Sequence, residues 1–443
     1  MSDIDFEKMT VAALKAYAKE RNIKIKSGLK KAEIVEIVRQ HEELVGSNEA
    51  EGEEEVDMEA RTDLKMTIQA LKDFAAARGI KIPSGAAKKA EISAYINGYL
   101  DELDLGNDPT DLGDNKITPE MVTPVFADLD AFAKYKDRAW LKHLHAYGWT
   151  VVPQVFSEEL IDQSIDSFWN WLEGCTINDE ATISREDPAT WSYDGLPGAK
   201  GGLIKNYIGQ ERFLWDLRRA AKSTFEEIYR DPKTKETCDL VSSFDGAIFA
   251  LPTEKPTSWF HFDQPREMGG DSFSAVQGIA CLTDSHDEDG GFCFILDGDI
   301  VSFYNDYHER HPSCGIVWGK VDMKDEVVAG QVAEGNIFKV NANRGDLILF
   351  DSRLMHCNLP PTQNEEGNNH RMATYISFQP RENVEDATAT SRMQLFEQGR
   401  MTGHWCYGSW YSPQPLHYHS YGKNRVVPPE LDQPSYEEVA DMI

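Results

Sequence analysis

Over residues 129–174 the apolar positions recur at helical spacing, and this predicts helices across Leu129–Tyr147 and Ser157–Gly174. The second helix carries its own start signal: Ser157 stands at the N-cap and Glu158-Glu159 fill the first turn, where they complement the helix dipole. From Val241 onward the period falls to two, and short apolar segments are set off by Gly, Pro and Asp turns. Val276–Leu282, Gly291–Leu296, Ile337–Val340, Asp346–Phe350 and Arg371–Phe378 read as strands. Helices first and an all-β core after them predict an α+β chain, a β-barrel or jelly roll buttressed by helices.

The first hundred residues follow another rule: they repeat. Met9-Thr10-Val11-Ala12-Ala13-Leu14-Lys15 matches Met66-Thr67-Ile68-Gln69-Ala70-Leu71-Lys72. Ile23–Gly28 answers Ile80–Gly85, and Lys30–Ile34 answers Lys88–Ile92 after a one-residue insertion. Each copy opens on an N-cap Thr and runs through a short amphipathic helix, with Val11, Leu14 and Tyr17 on one side. An extended Ile/Lys stretch and a Ser-Gly break follow, then a second helix with Ile34, Ile37 and Val38. The chain divides into module 1 over 1–45, an acidic linker over 46–62, module 2 over 63–102, a linker over 103–121 and one large unit over 122–443.

Charge sharpens this division. The 443 residues hold 45 Lys+Arg against 75 Asp+Glu, a net charge of −30, which excludes a chain basic along its whole length. Residues 9–40 reverse the sign locally, with Lys15, Lys19, Arg21, Lys24, Lys26, Lys30, Lys31 and Arg39 facing only Glu20, Glu33 and Glu36. The seven cysteines are widely spaced without a CxxC pair, which argues against a disulfide scaffold or zinc finger. The N-terminus has no apolar signal segment, and no run of about 18 apolar residues could span a bilayer. The expectation is a soluble, intracellular protein, cytoplasmic or nuclear.

The two copies, 9–40 and 66–97, resemble the SAP-like, or helix-extended-helix, family. The resemblance implies binding of DNA or RNA through the second helix and the loop before it; a lysine face that docks a protein is the plainer alternative.

The chemistry concentrates further on. Ser258-Trp259-Phe260-His261-Phe262-Asp263-Gln264 contains a His-x-Asp, and on a strand residues i and i+2 share a face. By itself this could be a hydrogen-bonded pair. Downstream, Gly345-Asp346 turns into the apolar strand Leu347–Phe350, and a His follows at position 356. Two His and one carboxylate on one face leave positions open on a metal, the arrangement of non-haem Fe(II) oxygenases. Arg371 then opens a strand, and an arginine inside a barrel is costly unless it meets an anion such as a dicarboxylate.

In this region, about 145–385, the chain resembles the phytanoyl-CoA hydroxylase-like family of Fe(II)- and 2-oxoglutarate-dependent dioxygenases. The pieces that carry the likeness come in the family's order: the His-x-Asp, the strand Gln277–Asp284, Asp289–Phe294, the Gly-Asp strand ending in His356, and Arg371. The resemblance implies a double-stranded β-helix. It also implies iron held by His261, Asp263 and His356, and Arg371 on the distal carboxylate of 2-oxoglutarate. Asn358, Gln277 and Thr374 are further candidate contacts to that cosubstrate, Thr374 standing one place beyond the family's usual hydroxyl, where this chain has Ala373. The implied reaction consumes O2, releases succinate and CO2, and hydroxylates a C–H bond of a small-molecule or lipid-like substrate. An oxygenase acting on nucleic acid, delivered by the N-terminal modules, and a non-enzymatic binding protein with a vestigial barrel are the alternatives. Trp259 and Phe262 read as packing, Cys357 as a buried thiol, and His286, His308 and His311 as lying in a solvated loop between the ligand strands. His417 and His419 lack a partner to complete a second site.

Overall fold

The computed structural model describes residues 121–443 except 198, 205–206, 232, 254–258, 269, 271–273, 313, 315–318, 365–366, 409–410, 412 and 415–424. Before 121 it describes Lys31, Val35, residues 67–77 and Ile117. Two compact units divide at Ala60/Arg61, and the elements below belong to the second. Most of both N-terminal modules, and with them the nucleic-acid reading, lies outside the described residues; so do His417 and His419. Within the second repeat, α1 (Ile68–Ala77) opens after Thr67, whose hydroxyl accepts from the Ala70 amide at 3.1 Å.

The architecture is layered. The expected first helix is a 3₁₀ stretch, Asp130–Arg138, followed by α2 (Ala139–Tyr147), with the break at Lys136, whose φ is 50°. The strand β1 (Trp149–Val152) leads to α3 (Glu158–Gly174), where Ser157 caps by accepting from the Leu160 amide at 3.2 Å. The helix α4 (Arg212–Tyr229) buries Phe213, Leu214, Leu217, Ala221 and Phe225, one stripe at helical spacing.

Eight further strands complete the core: β2 (Ala247–Ala250), β3 (His261–Phe262), β4 (Val276–Cys281), β5 (Gly291–Ile295), β6 (Ile337–Val340), β7 (Leu347–Asp351), β8 (Met355–Leu359) and β9 (Arg371–Pro380). One sheet runs β1-β7-β4-β9-β2 and continues through Leu203–Ile204 and Ala199–Lys200. The other runs Thr123–Val125, β6, β5, β8, β3 and Gly319–Lys320. All five strands expected from the sequence are present, with ends shifted by no more than two residues.

Alternation along each strand sorts side chains into three cores. Val276, Ala280, Leu347, Leu349, Met372 and Ile376 face outward from the first sheet onto α3 and α4. Ile279, Cys281, Phe292, Phe294, Ile348, Phe350 and Ala373 fill the interior between the sheets. Phe260, Phe262, Cys293, Met355, Cys357 and Leu359 face outward from the second sheet.

A correction concerns what covers that last face. The segment expected as a solvated loop folds into α5 (Ile300–Arg310) and α6 (Glu326–Glu334). Asp299 caps α5 by accepting from the Ser302 amide, and Asp325 caps α6 by accepting from the amides of Val327 and Val328. Phe303, Tyr304, Tyr307 and His308 make the buried stripe of α5. His308 is therefore core, T-shaped against Tyr304, and Asp325 accepts from His311 Nε2 at 2.8 Å. Only His286 matches the expectation, exposed and hydrogen-bonded to Asn343. Phe262 and Cys357 are fully buried packing residues, and no disulfide links any of the seven cysteines.

Candidate metal centre

His261 on β3 and His356 on β8 are direct cross-strand partners, and their rings stand 4.3 Å apart between centroids. Asp263 follows β3 two residues on, so it points to the same side as His261. Gln264 then fastens the segment: its amide donates to Ser352 O at 2.7 Å, and its Oε1 accepts from the Ser352 hydroxyl at 2.7 Å and the Ser274 amide at 2.8 Å. The Tyr304 hydroxyl of α5 donates to Gln264 O at 3.0 Å. At the opposite end of β7, the turn before it needs Gly345, whose φ is 86°, and Asp346 Oδ2 accepts from the Asn343 amide to close it.

One ligand atom from each of His261, Asp263 and His356 lies within 4.8 Å of the other two, and all three residues are buried. His261 Nε2 is 3.4 Å from Asp263 Oδ1, and His356 Nε2 is 3.2 Å from Asp263 Oδ2. The other ring nitrogens are committed. Nδ1 of His261 meets Trp259 O at 3.2 Å and Nδ1 of His356 meets Leu354 O at 2.8 Å. A carbonyl only accepts, so each Nδ1 carries a proton, which leaves Nε2 as the ring atom turned to the centre. Burial, helped by the neighbouring His356, pushes the His261 imidazole down and keeps it neutral. Burial opposes ionisation of Asp263, yet the imidazoles of His404, His356 and His261 hold its carboxyl well below its ordinary value. A carboxylate flanked by two imidazole Nε2 atoms is the donor set of a facial-triad iron(II) site.

Arg371 stands at the head of β9 and is 1% exposed; among the described residues its Nη1 and Nη2 meet no carboxylate, and the Tyr375 hydroxyl is their polar neighbour. An unpaired guanidinium at this depth is unfavourable by several kcal/mol. Its path into the interior depends on Gly291 (φ 117°), where a Cβ would come within 2.3 Å of Ser285 Oγ and 3.2 Å of Arg371 Nε. Four residues along β9, on the same face, Tyr375 accepts at its hydroxyl from Asn358 Nδ2 at 3.4 Å, while Asn358 Oδ1 is unpartnered. Asn358 shares the inward face of β8 with His356, so this contact joins the arginine's strand to a metal-ligand strand. Burial pushes the Tyr375 hydroxyl up to about 12, against the nearby Arg371 charge. A planar fork without a counter-ion fits a carboxylate bidentately, and 2-oxoglutarate offers one.

Two of the expected cosubstrate contacts fall elsewhere. Gln277 faces the interior, but its Nε2 donates to Asp263 Oδ2, so it holds the metal-site carboxylate. Thr374 has the opposite parity to Arg371: it lies between Met372 and Ile376 on the face turned to α3 and α4, out of the pocket. The register of β9 against β4 and β2 is continuous, so no bulge brings the hydroxyl back. Tyr375 and His404 stand outside the expected site residues, although strand parity puts Tyr375 on Arg371's face.

No protein-family model matches the chain. A curated relative, Ava biosynthesis cluster protein O of Aspergillus versicolor, is 24% identical over 291 residues, covering 63% of this chain and 89% of the relative. Among solved structures, HygX from Streptomyces hygroscopicus with nickel, 2-oxoglutarate and hygromycin B bound is 15% identical, with 55% of this chain and 87% of that chain covered and a TM-score of 0.34. EctD from S. alaskensis with 2-oxoglutarate and 5-hydroxyectoine is also 15% identical, covering 55% and 77%, with a TM-score of 0.35. The non-heme alpha ketoglutarate dependent carbocyclase SnoK from nogalamycin biosynthesis is 13% identical, covering 66% and 100%, with a TM-score of 0.34. At these scores the likenesses carry no inference, and the site stands on its own residues. No helix among the described residues is long and apolar enough to cross a membrane.

Proposed function

We propose that the chain is a non-haem Fe(II)- and 2-oxoglutarate-dependent oxygenase that hydroxylates a C–H bond of a small-molecule substrate. The observation that carries this reading is the pairing of a buried two-His, one-carboxylate centre with a buried guanidinium that has no counter-ion among the described residues. His261, Asp263 and His356 would hold the iron, and Arg371 the distal carboxylate of 2-oxoglutarate. When bound, the iron supplies the oxidising chemistry that couples decarboxylation of 2-oxoglutarate to attack on a C–H bond. The chain's own part is to present two neutral imidazoles and an ionised carboxylate, to orient the cosubstrate through Arg371, and to exclude water behind Phe292, Phe294 and Phe350. An intact Asp263 leaves no place at that ligand position for a halide, which favours oxygen insertion. The biosynthesis-cluster name of the curated relative is in keeping with a small-molecule substrate.

The test is anaerobic reconstitution with Fe(II), then exposure to air with 2-oxoglutarate and measurement of succinate. Wild type is expected to release succinate slowly even without substrate, and His261→Ala none. Equal succinate from both, or none from either together with no iron bound, overturns the reading.

A further inference from the structure

A fourth imidazole reaches this centre from the far end of the chain. His404 Nε2 lies 3.7 Å from Asp263 Oδ1, beyond hydrogen-bonding length, and has no partner although the atom itself is buried. His404 is not among the three residues whose ligand atoms cluster within 4.8 Å. Its side chain is 21% exposed, against 5–9% for those three, so it approaches the carboxylate from the side nearest solvent.

The segment that carries it is fastened at both ends. The Thr402 amide donates to Phe244 O at 3.1 Å, and the Thr402 hydroxyl accepts from the Phe244 amide at 2.9 Å. Two residues beyond His404, the Cys406 amide donates to Gln379 Oε1 at 2.8 Å, and Trp405 is buried. Phe244 and Gln379 belong to the first sheet and its edge, so His404 is set by the barrel, not by a loose tail. Among the described residues Nε2 has no hydrogen-bond partner, and Asp263 Oδ1 is the acceptor that an Nε2–H would face. The carboxylate already has one such donor, Gln277 on Oδ2.

We infer that His404 is a positioning residue of the metal centre, its Nε2 facing Asp263 Oδ1 at 3.7 Å, on the oxygen that Gln277 does not hold, where a small closure would bring it to that oxygen. This rests on the metal-site reading above. Outer partners of metal-binding carboxylates orient them, and losing one typically weakens metal binding about 10- to 100-fold.

Cobalt(II) titration of the full chain, followed by visible absorption, tests this without turnover. The expected result is one Co(II) per chain in wild type, affinity about tenfold weaker in His404→Ala, and recovery in His404→Gln, which restores an N–H donor. The band shape should stay constant, and apoprotein unfolding temperatures should agree between variants. Unchanged affinity in His404→Ala overturns the inference while leaving the metal site standing. An altered band shape in that variant makes His404 a ligand, and also overturns it. No cobalt binding by wild type removes the metal-site reading itself.

Discussion

The two ends of the barrel interior differ in how far the protein satisfies its own polar atoms. At the metal end the three ligand residues are held by protein partners: both Nδ1 atoms meet carbonyls and Asp263 Oδ2 accepts from Gln277. At the other end Arg371 has no counter-ion and Asn358 Oδ1 no hydrogen-bond partner among the described residues. The difference teaches what each end is built for. Ligands that must present bare lone pairs are locked beforehand, because a misdirected imidazole cannot be corrected cheaply once a cation arrives. A guanidinium left without a counter-ion inside the same wall makes the folded chain depend on an anion it does not itself contain.

The comparison can be broken most severely at the locked end. Asp263→Ala leaves two neutral imidazoles without a charge, and Fe(II)-dependent succinate formation should fall at least about a hundredfold, as measured under saturating 2-oxoglutarate. The change also leaves Gln277 Nε2 without its acceptor, so a small drop in the apoprotein unfolding temperature should accompany it.

At the open end, truncating a buried charge partner is expected to cost about 3 kcal/mol of cosubstrate affinity, roughly a hundredfold in Kd. Calorimetric titration of 2-oxoglutarate into Arg371→Met in the presence of Mn(II) measures it. The apoprotein of that variant should unfold at the same temperature as wild type or higher, because an unpaired cation has been replaced by an apolar chain. A lower unfolding temperature would mean the arginine is structurally satisfied after all.

Gly291→Ala sharpens the same point with a smaller change. The added Cβ would press on Arg371 Nε and on Ser285 Oγ. It should weaken 2-oxoglutarate about tenfold and also lower stability, since φ there is 117°. Metal affinity should be untouched.

The smallest expected effect is at His308, behind the ligand strand. Burial lowers its pKa to about 4, helped by Arg266 and His311, and neither ring nitrogen has a partner. The unfolded chain takes up a proton near 6.5 that the folded one refuses until about 4, so stability is full above 6.5 and declines as pH falls between these values. Thermal midpoints of His308→Phe should be flatter over that window than those of wild type, whereas an identical slope would assign the acid sensitivity to other groups.

Much of this was legible in the sequence, for physical reasons. Strands such as Ile337–Val340 and Leu347–Asp351 announce themselves because both faces are buried and their turns need Gly and Asp. The triad was legible because His261 and Asp263 obey the period of two and His356 ends the strand after a Gly-Asp turn. Thr374 shows where spacing misled: proximity to Arg371 in sequence means the opposite face of a strand. Gln277 was placed on the right face, but nothing local to it says that Asp263 would claim its amide. The helices α5 and α6 are written in the spacing of Phe303, Tyr304 and Tyr307 and in the capping Asp299 and Asp325, a short signal between strongly patterned strands. His404 had no local signal, since its meaning depends on a contact 141 residues away in the chain.

That insert has a consequence for how the protein should fail. The core beneath α5 and α6 is smaller than the one beneath α3 and α4, and its floor is the outward face of β3 and β8. Those two strands carry His261 and His356 on their other side. On warming, the lesser core should loosen first, in the manner of a separate cooperative unit. The metal ligands would then lose their spacing while the larger sheet is still folded, so heat would disarm the protein before it unravels.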